Sequence, residues 1–280
     1  MTLRARARQL GRIVRSLKGV GVGGTHFALP IGPKFEIEEP WMTEIMRRML
    51  PVFEGAFIDV GANIGQTLLQ LRAIDTKRRY LGFEPNSTCA SYILELIRIN
   101  GLARTDIIPA ACGLGYGISK LHFYQDSEFD ASASLVSDFR TGSRVTKTSY
   151  VFTAPIGECL SEAEIDNIGI IKIDVEGYEA NVIEALEAQL AKARPCLIVE
   201  VLPVYSAENV ARLSGNYRIE AVLERASYSM FRVMKSANLH LNCLEPIDTL
   251  GIHGDMRLVD YVFLPNEFVE PCLRSEPHCV

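Results

Sequence analysis

At 280 residues, 48% hydrophobic and 22% charged, the chain is long enough to bury one large core and has the composition of an ordinary globular protein. A net charge of −5 and a pI near 5.7 argue against a body that binds nucleic acid through its field, and turn the expectation to small-molecule or glycan ligands. Seven scattered cysteines with no Cys-x-x-Cys pair, and five histidines without close pairing, suggest neither a disulfide framework nor a zinc site.

A reducing cytoplasm fits that cysteine usage. No apolar run approaches the roughly 20 residues of a membrane-spanning helix, and the first residues lack the apolar core of a secretory signal. The chain is therefore read as neither spanning nor exported.

The first 18 residues carry Arg4, Arg6, Arg8, Arg12, Arg15 and Lys18 and no acid, which leaves 23 basic residues against 34 acids in the remainder. Leu10, Ile13, Val14 and Leu17 recur at helical spacing among those arginines, a pattern that suits peripheral contact with an anionic membrane or an acidic partner. Four glycines between Gly19 and Gly24, followed by the Pro30-to-Pro33 turn, read as a flexible boundary. From Pro40, the spacing of Trp41, Ile45 and Met49 predicts a lead-in helix. The expected organisation is an arm and lead-in helix over 1–50 and one catalytic domain over 51–280.

Beyond residue 55, short apolar runs alternate with helical periods. Strands are expected over 56–60, 80–84, 106–110, 169–174 and 196–201, with helices over 65–74, 86–100 and 179–190 between them. Such alternation implies a mostly parallel α/β sheet with crossover helices. Lys120–Tyr124 and Tyr150–Thr153 read as a β-hairpin insert around the polar loop 126–149, near the mouth of the site. Strand-like pieces at 217–223, 228–234 and 258–264 predict an antiparallel C-terminal edge.

The sharpest motif is Phe57-Ile-Asp-Val-Gly-Ala-Asn-Ile-Gly-Gln-Thr67, a buried strand that ends in a glycine-bracketed turn and opens a helix. Gly61 and Gly65 allow close backbone approach, and the helix start presents unpaired amides, as a nucleoside site requires. The motif is not Gly-x-Gly-x-x-Gly, because Asn63 holds the middle position, and Asp59 would repel a dinucleotide's phosphates. An acid there suits a ligand with positive charge, and S-adenosylmethionine has a sulfonium, an ammonium and no phosphate.

The cofactor set is therefore Asp59, Gly61, Ala62, Asn63, Gly65 and Thr67, joined by Glu84 and Pro85 from Tyr80-Leu-Gly-Phe-Glu-Pro85. Glu84 ends the second strand, where a carboxylate accepts ribose hydroxyls. In Ile170-Ile-Lys-Ile-Asp-Val-Glu-Gly-Tyr-Glu179, alternation sets Lys172 and Asp174 on one side of a third buried strand. Asp174 is the expected general base, Lys172 its partner, Glu176 a second polar group and Glu179 a helix-start acid. Glu200 ends the next strand and faces the same cleft in a parallel sheet. Asp174, Glu176 and Glu200 also offer oxygen ligands that would suit Mg²⁺, although no dedicated metal site is expected.

Taken in order, the motifs from Phe57–Thr67 through Leu81-Gly-Phe-Glu-Pro85 and Ile171–Glu179 to Ile198-Val-Glu-Val201 resemble the FkbM-type methyltransferases over roughly residues 55 to 202. That resemblance implies the class I methyltransferase (Rossmann-like) fold, S-adenosylmethionine as donor, and O-methylation of a hydroxyl on a sugar, polyketide or related small molecule. It places Asp59, Gly61, Asn63, Gly65 and Glu84 at the cofactor, and Asp174, Glu176 and Gly177 at the substrate side. Where family members commonly carry Thr-Leu-Asp before the Lys-x-Asp strand, this chain has Gly157-Glu-Cys-Leu160.

Two other readings compete. A nicotinamide-dependent oxidoreductase of related fold is opposed by Asn63 and Asp59. A catalytically silent nucleoside-binding scaffold is opposed by the joint presence of Asp59, Glu84, Lys172 and Asp174.

Overall fold

A computed structural model of the chain describes residues 18–37, 39–113, 115–137, 144–160 and 167–274. The basic helix expected within the first 18 residues lies outside them, apart from Lys18 itself. The glycine-rich stretch is not a loose boundary. Strands β1 (Lys18–Val22) and β2 (Thr25–Leu29) pair antiparallel with Val22 opposite Thr25. Their turn is Gly23–Gly24, at φ values of 54° and 87° that glycine adopts without strain. Val22, Phe27 and Leu29 then bury against Phe35, Leu69, Tyr92 and Leu96, so the glycines serve a packed hairpin.

The lead-in helix forms as α1 (Pro40–Met49), with Pro40 in its first turn and Trp41, Met42, Ile45, Met46 and Met49 buried. Next come β3 (Ala56–Val60), α2 (Gln66–Ile74), β4 (Tyr80–Phe83), α3 (Ser87–Asn100) and β5 (Thr105–Ile108). Asn86 caps α3 by accepting from the Thr88 amide, and Gly101 closes it in the left-handed conformation. The insert comprises β6 (Ala111–Cys112), β7 (Gly117–Phe123) and β8 (Lys147–Ala154). It is longer than the expected hairpin, with Ile118 opposite Phe152 and β6 added parallel to β8.

The chain returns through β9 (Ile168–Ile173), α4 (Glu179–Ala185), α5 (Glu187–Ala193), β10 (Cys196–Glu200) and α6 (Val210–Arg225). Expected strand 217–223 is therefore helical. Ile219, Val222 and Leu223 are buried at i, i+3 and i+4, and Asn209 caps the helix by accepting from the Arg212 amide. Strands β11 (Tyr228–Lys235), β12 (Leu241–Ile247) and β13 (Asp260–Pro265) and helix α7 (Val269–Leu273) complete the fold.

The main sheet has the order β12-β11-β13-β10-β9-β3-β4-β5. From β10 to β5 all neighbours run parallel, while β13 is antiparallel to both β10 and β11, and β12 is antiparallel to β11. The antiparallel edge is thus present, built from β11, β12 and β13. Alternate residues serve two cores. Ile58, Val60, Ile171, Ile173, Leu197 and Val199 face α4, α5 and α6, whereas Phe57, Tyr80, Ile170 and Ile198 face α1, α2 and α3. Because helices cover both faces, these strands read as continuous apolar runs.

Arg78 ties the entry to β3. Its guanidinium donates to the carbonyls of Leu50, Phe53 and Gly55 at 2.8–2.9 Å and pairs with Asp75 at 3.2 Å. Arg78→Met is expected to lower unfolding stability by about 2 kcal/mol, because partly buried carbonyls lose charged donors. Urea unfolding at unchanged m-value checks this, and a loss under about 0.5 kcal/mol would show water replacing the guanidinium.

Cys243 is disulfide-bonded, although the cysteine spacing suggested no disulfide framework, while Cys89, Cys112, Cys159 and Cys196 are free thiols. Among the described residues no helix is long and apolar enough to cross a membrane.

Candidate active site

The parallel strands β3, β4, β9 and β10 deliver their polar residues at one edge, the carboxyl end where open α/β sheets bind ligands. After β3 the chain turns through Gly61, Asn63 and Gly65, all at positive φ. At Gly61 the turn passes so close to the end of β9 that a Cβ would lie 1.9 Å from the Asp174 carbonyl oxygen. Only glycine fits there. Gly65 starts α2 from behind, with its open face toward Ile93 and Leu96.

Glu84 is clamped at the tip of β4. One oxygen accepts from the Asn63 amide and the other from the Asn86 amide, each at 2.7 Å. Burial raises its pKa to about 7 against the pull of those amides. Each oxygen retains a lone pair for a further donor.

Two clefts meet over the glycine turn. The first, about 660 Å³, runs between Glu84, Pro85 and the insert, with Phe83, Cys112, Leu121 and Leu135 among its walls. The second, about 890 Å³, is polar, and Glu39, Gln66, Thr67, Lys172 and Glu200 contribute to its walls. Gly61, Asn63, Ala131, Asp174 and Glu176 border both, so the two form one bent site.

Of the residues expected from sequence, Gly61 and Asn63 sit at the bend, Glu84 and Pro85 in the first cleft, and Ala62 and Thr67 in the second. Gly65 lines neither. Asp59 also lines neither: it is 0% exposed beneath the turn, so the direct ligand contact expected of it is not what the structure shows. Its Oδ2 accepts from the Tyr80 hydroxyl at 2.6 Å, and its Oδ1 has no hydrogen-bond partner and stands 3.6 Å from the Lys172 ammonium. Asp59 reaches the site through Lys172.

The Lys172 ammonium donates to the Gly61 carbonyl at 3.2 Å and to Asp174 Oδ2 at 3.1 Å. Burial favours its neutral form, but Asp174 and Asp59 outweigh that and hold it firmly protonated. The Asp174 side chain is 35% exposed, the most open member of this chain of charges. Glu176 is held at φ 52° and its carbonyl accepts from Ser134 Oγ at 2.6 Å, which ties the insert to the end of β9. Glu179 turns away, accepting from the Gly177 amide at 2.8 Å as a helix-start acid.

Sequence reasoning missed Tyr80, Glu39 and Asp260. Burial, then Asp174 and Asp260, push the Glu200 carboxyl well above the usual range. Glu39 is open to the second cleft, yet the protein around its carboxyl, with Asp260 and Asp174, raises its pKa to about 7. Asp260 is in turn held by Lys235. Acids outnumber cations here, but among the described residues no group of three or more His, Cys, Asp or Glu side chains is placed to hold a metal ion.

The strand order, with one antiparallel strand inserted before β11 and a glycine turn after the first central strand, defines the class I methyltransferase fold. The chain matches the model of the methyltransferase FkbM domain over residues 59–230, more than half its length, and belongs to that family.

Among solved structures it resembles the methyltransferase FkbM from Methylobacillus flagellatus KT, with 18% identity, 81% of this chain and 48% of that chain covered, and a TM-score of 0.48. The O-methyltransferase from Bacillus cereus in complex with SAH is similar at 12% identity, 84% and 83% coverage and a TM-score of 0.45. The chain spans about half the length of the Methylobacillus protein. No curated protein sequence matches it.

Proposed function

We propose that this methyltransferase uses S-adenosylmethionine as donor and methylates a hydroxyl on a sugar, polyketide or related small molecule, with Asp174 as general base. The observation that carries the reading is the bent site itself. A semi-apolar cleft ends at Glu84, a polar cleft holds Asp174 and Glu200, and Gly61–Asn63 form the narrow saddle between them. An adenosine fits the first cleft, with its ribose donating to Glu84. The methionine end then crosses the saddle that Gly61 and Asn63 border.

When bound, this donor would supply an electrophilic methyl carbon, attacked in line as its bond to sulfur breaks and S-adenosylhomocysteine leaves. The chain must align an oxygen with it and take one proton. Asp174 borders both clefts with its side chain 35% exposed. Lys172, fixed by Gly61 and Asp59, orients Asp174, and Glu176 lines the acceptor side. The walls around the second cleft carry Glu39, Asp174, Glu176 and Glu200 against one lysine. That balance suits hydroxyl-rich acceptors and repels the phosphates of a dinucleotide.

Equilibrium binding checks the donor. S-adenosylhomocysteine should bind and NAD should not, and the reverse result would remove the reading. Labelled methyl transfer from the donor into extract fractions, followed by mass spectrometry, identifies the acceptor.

Glu84 adds a pH test. Ribose hydroxyls favour its carboxylate form, and burial holds the free site's pKa at about 7, so S-adenosylhomocysteine affinity should rise as pH rises through 7. Glu84→Gln should lose that slope and weaken binding by ~1–3 kcal/mol. Calorimetry on the folded variant showing unchanged affinity and slope would place the ribose elsewhere.

A further inference from the structure

Tyr80 stands on the sheet face shared with Phe57 and Ile170, packed in one cluster with Leu68 and Leu71 of α2, and is fully buried. A phenylalanine would fill that space equally well. Its hydroxyl is hydrogen-bonded to Asp59 Oδ2 at 2.6 Å. Asp59, with its other oxygen lacking any hydrogen-bond partner, depends on that hydroxyl for its one short contact.

We propose that Tyr80 is a positioning residue for the donor site: by anchoring the Asp59 carboxylate beneath the glycine turn, it keeps Lys172 shared between Asp59, Asp174 and the Gly61 carbonyl. The inference rests on the donor reading above.

The groups facing Asp59 make the consequence specific. From β4 come Tyr80 and, at the strand tip, Glu84; from β9 come Lys172 and, just beyond it, Asp174. Arg72 on α2 faces Tyr80 from behind. Lys172 is the cation among the groups that act on Asp59, and its ammonium stands 3.6 Å from Oδ1, longer than a normal hydrogen bond. Burial already raises the Asp59 pKa, with Lys172 and the Tyr80 hydroxyl opposing it. Without the hydroxyl, Asp59 takes up a proton at higher pH. The ammonium then loses one of its two anionic partners, is drawn wholly to Asp174, and releases the Gly61 carbonyl that shapes the saddle.

The test is Tyr80→Phe, which keeps the ring, with S-adenosylhomocysteine binding measured by calorimetry at pH 6 and pH 8. Aspartate 13Cγ resonances are followed in parallel, with Asp59 assigned through Asp59→Asn. Affinity should fall by about 3- to 30-fold at pH 6 and by less at pH 8, a part of the roughly 10- to 150-fold worth of one hydrogen bond to a charged group, because the bond acts on the donor only through Lys172. The Asp59 signal should titrate at higher pH than in wild type. Asp59→Asn, which abolishes the titration, should bind with weakened affinity at both pH values, and adding Tyr80→Phe to it should cost little further.

Identical affinities and a superimposable Asp59 titration in Tyr80→Phe overturn the proposal while leaving the donor reading intact. A loss equal at both pH values assigns Tyr80 to packing alone and also overturns it. Wild-type protein that binds no S-adenosylhomocysteine overturns the donor reading, and with it this role for Tyr80.

Discussion

Asp174→Asn is expected to slow methyl transfer by roughly 10²–10⁴, the usual worth of a positioned general base, while donor-site affinity stays within a few fold. The geometry supports a large effect. Asp174 follows β9 directly, its amide donates to the Val60 carbonyl at 3.0 Å, and its side chain emerges where the two clefts meet. Lys172 at 3.1 Å fixes one oxygen. An asparagine keeps the shape and one acceptor but cannot remove a proton.

A purely structural Asp174 predicts a different pair of results, namely stability lowered by about 0.5–2 kcal/mol with turnover per folded molecule unchanged. Single-turnover rates with labelled donor, read beside a thermal melt, separate the two. A folded variant within about threefold of the wild-type rate would pass the role to Glu176 or to Glu200, which line the second cleft with Asp174.

The strand ends that carry the site were legible because β3, β4, β9 and β10 are covered on both faces. Their apolar runs stand out in the sequence, and a polar residue at the end of such a run is conspicuous. What one strand cannot reveal is which side its terminal residue faces and what the next strand sets beside it. Asp59 and Glu84 both look like ligand acids from sequence, yet Glu84 borders the cleft and Asp59 lies beneath it. The difference arises from pairing, since β3 and β4 align Asp59 with Gly82 and so bring Tyr80 alongside.

At 217–223 the apolar content hid a helical period that becomes evident once Asn209 is recognised as a cap. Between Lys18 and Leu29 the glycines obscured the alternation of Phe27 and Leu29 that docks the hairpin. In the segment before α1, Glu39 offered no periodic signal. It enters the site because the Gln70 side chain on α2 donates to its backbone carbonyl at 2.8 Å and holds it over the second cleft.

Lys172→Met should cost about 3–5 kcal/mol of folding stability, the range for removing one partner of a buried ion pair. Lys172 is 7% exposed, and its ammonium lies between Asp59 and Asp174. Methionine fills its volume but leaves Asp59 at 0% exposure with the Tyr80 hydroxyl as its hydrogen bond. The cost must then depend on pH in a fixed direction. Burial holds the folded-state pKa of Asp59 above its unfolded value, and loss of the cation raises it further. A carboxyl with a raised folded pKa is disfavoured in the fold only when it must ionise. The penalty is therefore small near pH 4, close to the unfolded value, and grows as pH rises toward the folded pKa.

Urea unfolding of wild type and variant at pH 5 and pH 8 should show a deficit that widens at the higher pH. In an Asp59→Asn background, where no buried charge needs a partner, Lys172→Met should cost much less, giving a coupling well above the ~0.5 kcal/mol expected of independent sites. A deficit equal at both pH values, or additive costs in the double variant, would show that Lys172 stabilises the fold through its packing and not through the charge on Asp59.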